Sequence, residues 1–282
     1  MFTSSQYEKK LLKRDSSSIK FYMLSLKQKN DERKLYLKDR KMTIEIVENY
    51  SEMSRAAADI FAEVINSKKD CVLGLATGDT PIGMYECLVE DYKSGKVDFA
   101  GAKSVNLDEY YPINPDNEQS YRYFMNYHLF DKVNINKANT FVPDGQAKDV
   151  VKSCEEYEKN IDSLGGIDIQ TLGIGRNGHV GFNEPDDGLI PFTHVTDLTA
   201  NTIEANSRFF ESEADVPKQA ITMGIQSIFK ARKIVILASG EGKAEAVKRM
   251  LGGKITTQCP ASLLCLHPDV VLICDKDAGN KI

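Results

Sequence analysis

The sequence predicts an α/β domain in which helices flank a mostly parallel sheet. Short apolar runs predict strands, and longer segments with apolar residues every three or four positions predict helices. The two kinds of segment alternate from residue 42 onward, which indicates crossover connections between parallel strands. The 282 residues, 41% of them hydrophobic, provide a sizeable core for one large domain of this kind.

The elements follow one another from residue 42. Ile44 and Val47 predict a short strand, and the helix after it places apolar residues on one face at Met53, Ala57, Ile60, Phe61 and Val64. An apolar strand at 71–76 leads through a glycine-containing turn to a helix that opens at Pro81, a favoured first helical residue. Further strands are predicted at 103–107, 167–172, 233–238 and 270–274, and further helices at 119–130, 150–163 and 241–250. This order predicts a Rossmann-like three-layer α/β/α architecture in a single domain.

Residues 1–41 differ from the rest of the chain in charge. They hold twelve Lys or Arg and five Asp or Glu, a net +7, whereas residues 42–282 hold 24 basic and 36 acidic residues, a net −12. The apolar stretch at 21–26 is too short for a secretory signal, and the acids disfavour a mitochondrial transit peptide. We expect a disordered basic extension, or sequence upstream of a true start at Met42 that precedes a domain over 42–282. An intact mass that includes residues 1–41 would contradict the second interpretation.

Composition excludes several classes of protein. No apolar run approaches the roughly 18 residues of a membrane-spanning helix. The six cysteines form no CxxC pair, and the four histidines do not supplement them at ligand spacing, so we expect neither a disulfide framework nor a metal site. Buried thiols in a reducing cytoplasm are the expectation. The cysteines are Cys71, Cys87, Cys154, Cys259, Cys265 and Cys274.

The first segment with chemical potential is the turn that carries Thr77, Gly78 and Thr80. A strand, a turn and a helix start direct backbone N–H groups at an anion, although the same pattern also forms ordinary helix caps. The segment lacks the lysine of a P-loop, which disfavours a nucleoside triphosphate. Asp79 is unexpected here, because a carboxylate beside a phosphate repels it.

The second segment ends a predicted strand with two acids, Asp108 and Glu109. Neighbouring side chains at a strand end point in different directions. One carboxylate could therefore face a cleft as a general base while the other makes structural hydrogen bonds.

The third segment is glycine-rich and contains Asn177, His179 and Glu184. It includes a formal GxGxxG over 173–178, but further glycine and proline keep the chain irregular where a dinucleotide site needs a helix. The glycines instead predict a thin backbone on which the three polar side chains converge. A carboxylate partner would fix the tautomer of the histidine and raise its basicity.

Seven segments together resemble the glucosamine-6-phosphate deaminase family, in family order and over about residues 42–277. They are LGLATGDTPIGMY, VNLDEYYP, SYRYFMNYHLF, LGIGRNGHVGFNEP, ANSRFF, SGEGKAEAV and ASLLCLHPDVVLICD. GHVGFNEP and NLDEY are specific to these deaminases, whereas the related 6-phosphogluconolactonases share the fold and a Gly-His turn. ANSRFF and SGEGKAEAV contain Arg208 and Lys243, which taken singly are ordinary surface cations.

The resemblance implies a reaction and a set of roles. Glucosamine 6-phosphate and water give fructose 6-phosphate and ammonia, in amino-sugar catabolism in the cytoplasm, without metal or organic cofactor. His179 opens the sugar ring, assisted by Glu184 and Asn177, and Asp108 carries a proton from C2 to C1. The phosphate is held by the Thr77–Gly78–Thr80 turn, Arg208 and Lys243. The implied partner is a small amino-sugar phosphate, not nucleic acid or a membrane, and both a monomer and a homo-oligomer are compatible with the sequence.

Three departures from the family pattern have consequences. Some members have Asp where this chain has Asn177, so we expect ring opening here to depend more on Glu184. Asp79 replaces a usual Ser or Gly, and we expect its carboxylate to point away from the phosphate. Allosteric members carry basic residues after Asn-Glu-Pro, but the stretch at 186–196 has two acids and no Lys or Arg. We therefore expect hyperbolic kinetics without activation by N-acetylglucosamine 6-phosphate.

Two alternatives remain open on sequence grounds. The first is another sugar-phosphate isomerase or lactonase on the same scaffold, which ammonia release would distinguish. The second is a non-catalytic sugar-phosphate sensor, since related domains serve in transcription regulators. Such regulators carry a helix-turn-helix ahead of the domain, and residues 1–41 lack two patterned helices joined by a glycine turn.

Overall fold

A central parallel sheet and a smaller antiparallel sheet organise the chain. The computed structural model describes residues 42–199, 202–203, 210 and 216–282, so the expected extension over 1–41 lies outside the described residues. The described strands are β1 (Met42–Val47), β2 (Val72–Leu75), β3 (Lys103–Asn106), β4 (Asp108–Tyr111), β5 (Thr140–Phe141), β6 (Ile169–Gly173), β7 (His194–Asp197), β8 (Gln219–Thr222), β9 (Lys233–Ala238) and β10 (Val270–Asp275). The described α-helices are α1 (Tyr50–Ser67), α2 (Ile82–Lys93), α3 (Tyr121–His128), α4 (Val150–Ser163), α5 (Ile225–Phe229) and α6 (Ala244–Leu251).

The central sheet has seven parallel strands in the order β1-β10-β9-β6-β2-β3-β5. From β2 the chain moves outward through β3 to β5, and it then returns to place β6 on the other side of β2. The order of strands therefore reverses between β2 and β6. Ligands of open α/β sheets bind beyond the carboxyl ends of the strands at such a reversal.

Apolar residues on both faces of the central sheet make the three layers. Along β9, Ile234, Ile236 and Ala238 belong to one buried cluster, and Val235 and Leu237 belong to the other. Helices α1, α2 and α3 cover the face with Val235, and helices α4, α5 and α6 cover the opposite face. This burial on both sides is typical of parallel strands and confirms the predicted α/β/α arrangement.

The antiparallel sheet, of order β4-β8-β7, was not predicted. The predicted strand at 103–107 ends at Asn106, and after Leu107 the chain enters β4, which pairs with β8 so that Asp108 lies opposite Thr222. Leu107 joins the two sheets, because its N–H donates to Leu75 at 2.9 Å and its carbonyl accepts from the N–H of Met223 at 2.8 Å. The small sheet thus begins at the carboxyl edge of the large one.

Several predicted boundaries move by one or two residues. Pro81 occupies the N-cap position of α2 and Ile82 is its first helical residue. The predicted helix at 119–130 is shorter, because Ser120 accepts a hydrogen bond from the N–H of Tyr123 and caps α3. Helix α4 and strand β9 have the predicted bounds.

Candidate active site

The predicted site residues in the described part of the chain follow β2, β3, β6 and β9 at the carboxyl edge of the large sheet. Thr77, Gly78 and Thr80 follow β2, Asp108 follows β3, and Lys243 follows β9. Asn177, His179 and Glu184 follow β6. Arg208 lies outside the described residues. Six of these residues therefore come from the two turns on either side of the strand reversal.

Asp108 and Glu109 differ in their hydrogen bonding. The sequence predicts that one of the two carboxylates makes structural hydrogen bonds, and in the structure it is Glu109 that does so. Glu109 accepts hydrogen bonds from the backbone N–H groups of Tyr110, Tyr121 and Arg122, at 2.9, 2.8 and 2.9 Å. It thereby fixes the start of α3 to β4. Burial nevertheless raises the pKa of Glu109 to about 7, against the lowering effect of these donors.

Asp108 is buried, with 6% of its surface exposed, and accepts no hydrogen bond from any described residue. Burial, with a smaller contribution from the charge of Glu109, raises the pKa of the Asp108 carboxyl to about 8. A carboxyl group with this pKa exchanges protons near neutral pH. A strong shift of this kind at the edge of a sheet is typical of functional acids and bases.

The turn after β6 brings the His179 ring against backbone. A Cβ atom on Gly175 would lie 2.4 Å from Nε2 of His179, so only glycine leaves room for the imidazole. The N–H of Gly175 donates to the carbonyl of His179 at 2.9 Å, which closes the turn. The glycine-rich motif therefore positions a histidine and does not open a dinucleotide-binding helix.

Glu184 links the polar side chains of this turn. Its Oε2 accepts from Nδ2 of Asn177 at 2.6 Å, and its Oε1 accepts from Oγ1 of Thr202 at 2.8 Å. The same Oε1 lies 3.1 Å from Nδ1 of His179, and this contact is electrostatic, since Nδ1 makes no hydrogen bond within the described residues. Burial opposes ionisation of Glu184, yet contacts with His179, Asn177 and Thr202 outweigh it and lower the pKa of this carboxyl.

Gly181 connects the histidine turn to the strand of Asp108. A Cβ atom on Gly181 would lie 2.8 Å from Oγ1 of Thr222 and 3.2 Å from Cδ2 of Leu107. Thr222 is the residue opposite Asp108, and its Oγ1 also accepts from the N–H of Phe182 at 3.1 Å. The structure therefore brings the segments of Asp108 and of His179–Glu184 together across one glycine.

The turn after β2 joins that strand to the start of α2. Gly78 has φ +88°, a left-handed conformation that favours glycine. The hydroxyl of Tyr50 donates to the carbonyl of Asp79 at 3.0 Å and accepts from the N–H of Gly83 at 2.8 Å, which ties the turn to α1 and α2. Thr77, Gly78 and Thr80 are partly exposed, so the turn is open to a ligand.

Lys243 reaches the same edge from the turn after β9. Its Nζ donates to the carbonyl of Ile174 at 2.7 Å. Burial lowers the pKa of Lys243, the charge of Arg176 lowers it further, and the charge of Asp79 opposes both. Asp79 is thus close enough to act on Lys243, although its side chain is exposed. Arg176, which lies directly before Asn177 in the LGIGRNGH motif, is not among the site residues predicted from the sequence.

Three further observations concern the cysteines, the metal-ligating side chains and the helices of the described residues. Five of the six cysteines are buried, and Cys87 is partly buried. In the described ranges, no group of three His, Cys, Asp or Glu side chains is arranged to hold a metal ion. No helix within those ranges is both long and apolar enough to cross a membrane.

Comparison with known proteins assigns the chain to a family. The family model for glucosamine-6-phosphate isomerases and 6-phosphogluconolactonase matches residues 47–272. Glucosamine-6-phosphate deaminases of Clostridium perfringens and Clostridium beijerinckii are 55% and 56% identical over 241 residues, which cover 86% of this chain and all of each relative.

Solved structures with a similar fold point to the same family. A monomeric glucosamine-6-phosphate deaminase is 44% identical with a TM-score of 0.83, covering 86% of this chain and 100% of that chain. A 6-phosphogluconolactonase from Thermotoga maritima, 22% identical with a TM-score of 0.66, covers 84% of this chain and 100% of that chain and shows the shared fold. The chain belongs to the glucosamine-6-phosphate deaminase family.

Proposed function

We propose that this chain converts glucosamine 6-phosphate and water to fructose 6-phosphate and ammonia. The observation that carries the proposal is the pairing of two acid–base centres at one sheet edge. One is the His179–Glu184–Asn177 group, and the other is the buried carboxyl of Asp108. An aldose-to-ketose isomerisation with deamination needs proton transfers at two places on the sugar, first at the ring oxygens and then at C1 and C2.

Ring opening is assigned to His179. The reaction moves a proton from the O1 hydroxyl to the ring oxygen O5, and imidazole exchanges protons readily near neutral pH. Glu184 faces Nδ1, so Nε2 is the nitrogen available for the sugar. The negative charge of Glu184 stabilises the imidazolium while the proton is in transit.

Proton transfer along the open chain is assigned to Asp108. The carboxylate takes the proton from C2 to give an enolamine and returns it to C1. Water then hydrolyses the resulting imine at C2, which releases ammonia and leaves the ketone of fructose 6-phosphate. Because its pKa is raised to about 8, Asp108 is a stronger base than an ordinary carboxylate once it is ionised.

The phosphate is assigned to the Thr77–Gly78–Thr80 turn and Lys243, with Arg208 as a further cation. Backbone N–H groups at a helix start and an ammonium group are common partners of phosphate oxygens. The turn and Lys243 lie at the same edge as the acid–base centres, which fits a substrate whose phosphate is several bonds from C1 and C2.

The substrate is a small amino-sugar phosphate, and every proton transfer is assigned to a side chain, so the proposal invokes no cofactor. We place the reaction in amino-sugar catabolism in the cytoplasm. Five of the six cysteines are buried thiols, which are typical of proteins in a reducing compartment.

An ammonia-release assay tests the proposal. Wild type is expected to release ammonia from glucosamine 6-phosphate, and Asp108→Asn is expected to lose activity by at least about a hundredfold, since general acid–base groups contribute about 10²–10⁴-fold. Hydrolysis of 6-phosphogluconolactone is measured in parallel. Lactone hydrolysis without ammonia release would favour the lactonase alternative, and full activity in the variant would contradict the role of Asp108.

A further inference from the structure

Arg176 lies where three turns of the site meet. Its own turn follows β6, which lies between β2 and β9 in the sheet. The turn with Thr77 and Thr80 follows β2, and the turn with Lys243 follows β9. Because the carboxyl ends of parallel strands share one edge, Arg176 is placed between the two turns to which we assign the phosphate.

The side chain of Arg176 extends toward the turn of Lys243. A Cβ atom on Gly242 would lie 3.3 Å from Nε of Arg176 and 3.7 Å from both Cζ and Nη2. The guanidinium therefore packs against the backbone of Gly242, where a longer side chain would crowd it. Lys243 is the next residue in the chain, and the charge of Arg176 lowers the pKa of Lys243, so the two cations lie near each other.

The donors of Arg176 are not used within the described residues. The other four described arginines each donate to a carboxylate or a carbonyl of the protein: Arg55, Arg122, Arg232 and Arg249. Arg176 is exposed and donates to no described acceptor. Packing on Gly242 thus holds an exposed guanidinium whose N–H groups make no hydrogen bond to the described residues.

The net charge of the residues assigned to the phosphate also favours a further cation. Lys243 is opposed by the carboxylate of Asp79, and part of its donor capacity is used by the carbonyl of Ile174. Even with Arg208 as a second cation, the carboxylate of Asp79 reduces the net charge to about +1, which is one positive charge short of a phosphate that carries close to two negative charges. Arg176 supplies that charge, and its presence beside Lys243 is otherwise unfavourable because like charges repel.

We propose that Arg176 binds the phosphate of the substrate directly, beside Lys243 and the Thr77–Thr80 turn. The inference deepens the proposed function and rests on it. A guanidinium presents two parallel N–H groups that match two phosphate oxygens, which an ammonium group does not. Since the phosphate is not a reacting group, loss of Arg176 weakens substrate binding more than it slows the chemical steps.

The test compares wild type with Arg176→Ala, Arg176→Lys and Lys248→Ala. Lys248 is an exposed lysine of α6, so its variant loses the same charge without touching the site. The measurements are KM and kcat for ammonia release, and the Kd of inorganic phosphate by isothermal titration calorimetry. For Arg176→Ala we expect KM and the phosphate Kd to rise about tenfold or more, with kcat within about threefold of wild type. Arg176→Lys is expected to be intermediate and Lys248→Ala unchanged.

The outcomes separate the two proposals. A phosphate Kd and a KM that change by less than about twofold in Arg176→Ala would overturn the role of Arg176, as would an equal loss of phosphate binding in Lys248→Ala. A wild-type chain that releases no ammonia, yet binds phosphate through Arg176, would refute the deaminase function alone. If Arg176→Ala unfolds, Arg176→Lys tests the proposal instead. It keeps the charge but loses the paired N–H groups, so a phosphate Kd equal to that of wild type would overturn the role of Arg176.

Discussion

Replacing Asp108 with Asn is expected to remove activity and to make the folded chain more stable than wild type, by an amount that grows as the pH rises. The carboxyl is buried, and its pKa is raised from the ordinary 3.8 to about 8 in the folded state. Between these two values the folded chain keeps a proton that the unfolded chain has released. Stability from this group is therefore full below about pH 4 and is lost as the pH rises toward 8.

The size of the effect follows from proton linkage. Each pH unit between the two pKa values costs the wild type about 1.4 kcal/mol, so the change from pH 5 to pH 8 is about 4 kcal/mol. An amide does not titrate in this range. The advantage of Asp108→Asn over wild type should thus grow by about 4 kcal/mol across these three pH units, which corresponds to roughly 10 °C in Tm for a chain of this size.

Urea unfolding and thermal melting at pH 5, 6.5 and 8 provide the assay. Asp116→Asn is the matched control, because it makes the same substitution at an exposed position in the loop before α3. Stability curves of wild type and Asp108→Asn that stay parallel within about 1 kcal/mol would refute the burial of a titrating carboxyl at this position. If Asp116→Asn shows the same pH-dependent gain in the free energy of unfolding, the effect cannot be assigned to Asp108.

Four further outcomes are expected. Gly175→Ala should lower kcat at least tenfold with a smaller change in KM, because a Cβ atom there would lie 2.4 Å from Nε2 of His179; an unchanged kcat would contradict the packing. Glu184→Gln should lower kcat by about 10²-fold, since the charge that faces His179 is lost; ammonia release measures it, and a loss below threefold would contradict the role. Asp79→Ser should lower KM or leave it unchanged, because the negative charge of Asp79 offsets the positive charge of Lys243. A large rise in KM would show a positive role for Asp79. Velocity against substrate concentration should be hyperbolic, and a sigmoidal curve that N-acetylglucosamine 6-phosphate makes hyperbolic would contradict the absence of activation.

The large sheet could be predicted from sequence because its strands carry their own signal. Residues 234–238 are a continuous apolar run, and both faces of β9 are buried, so the run and the burial agree. The antiparallel sheet gives no such signal. β4 begins with two acids and pairs with β8, more than a hundred residues away, and only tertiary contacts make these segments into strands.

Part of the candidate site could likewise be predicted from the sequence, and part of it could not. The pattern of two acids at a strand end predicted one structural and one functional carboxylate, and the three backbone donors around Glu109 identify the structural one. Arg176 was missed because an exposed arginine is common in any sequence. The signal that could have found it is its position in a glycine-rich turn directly after a strand, the same position that drew attention to Asn177 and His179.

Asn177 shows why an amide suits this arrangement of the turn. Its Nδ2 donates to Glu184 at 2.6 Å, and its Oδ1 accepts from the backbone N–H of His179 at 3.1 Å. A carboxylate at this place could still accept from His179, but it would repel Glu184 instead of donating to it. The amide therefore orients Glu184 and closes the turn without adding charge, so Glu184 is the carboxylate that acts directly on the imidazole. The expectation that ring opening depends more on Glu184 in this chain thus has a physical basis in the hydrogen bonds of Asn177.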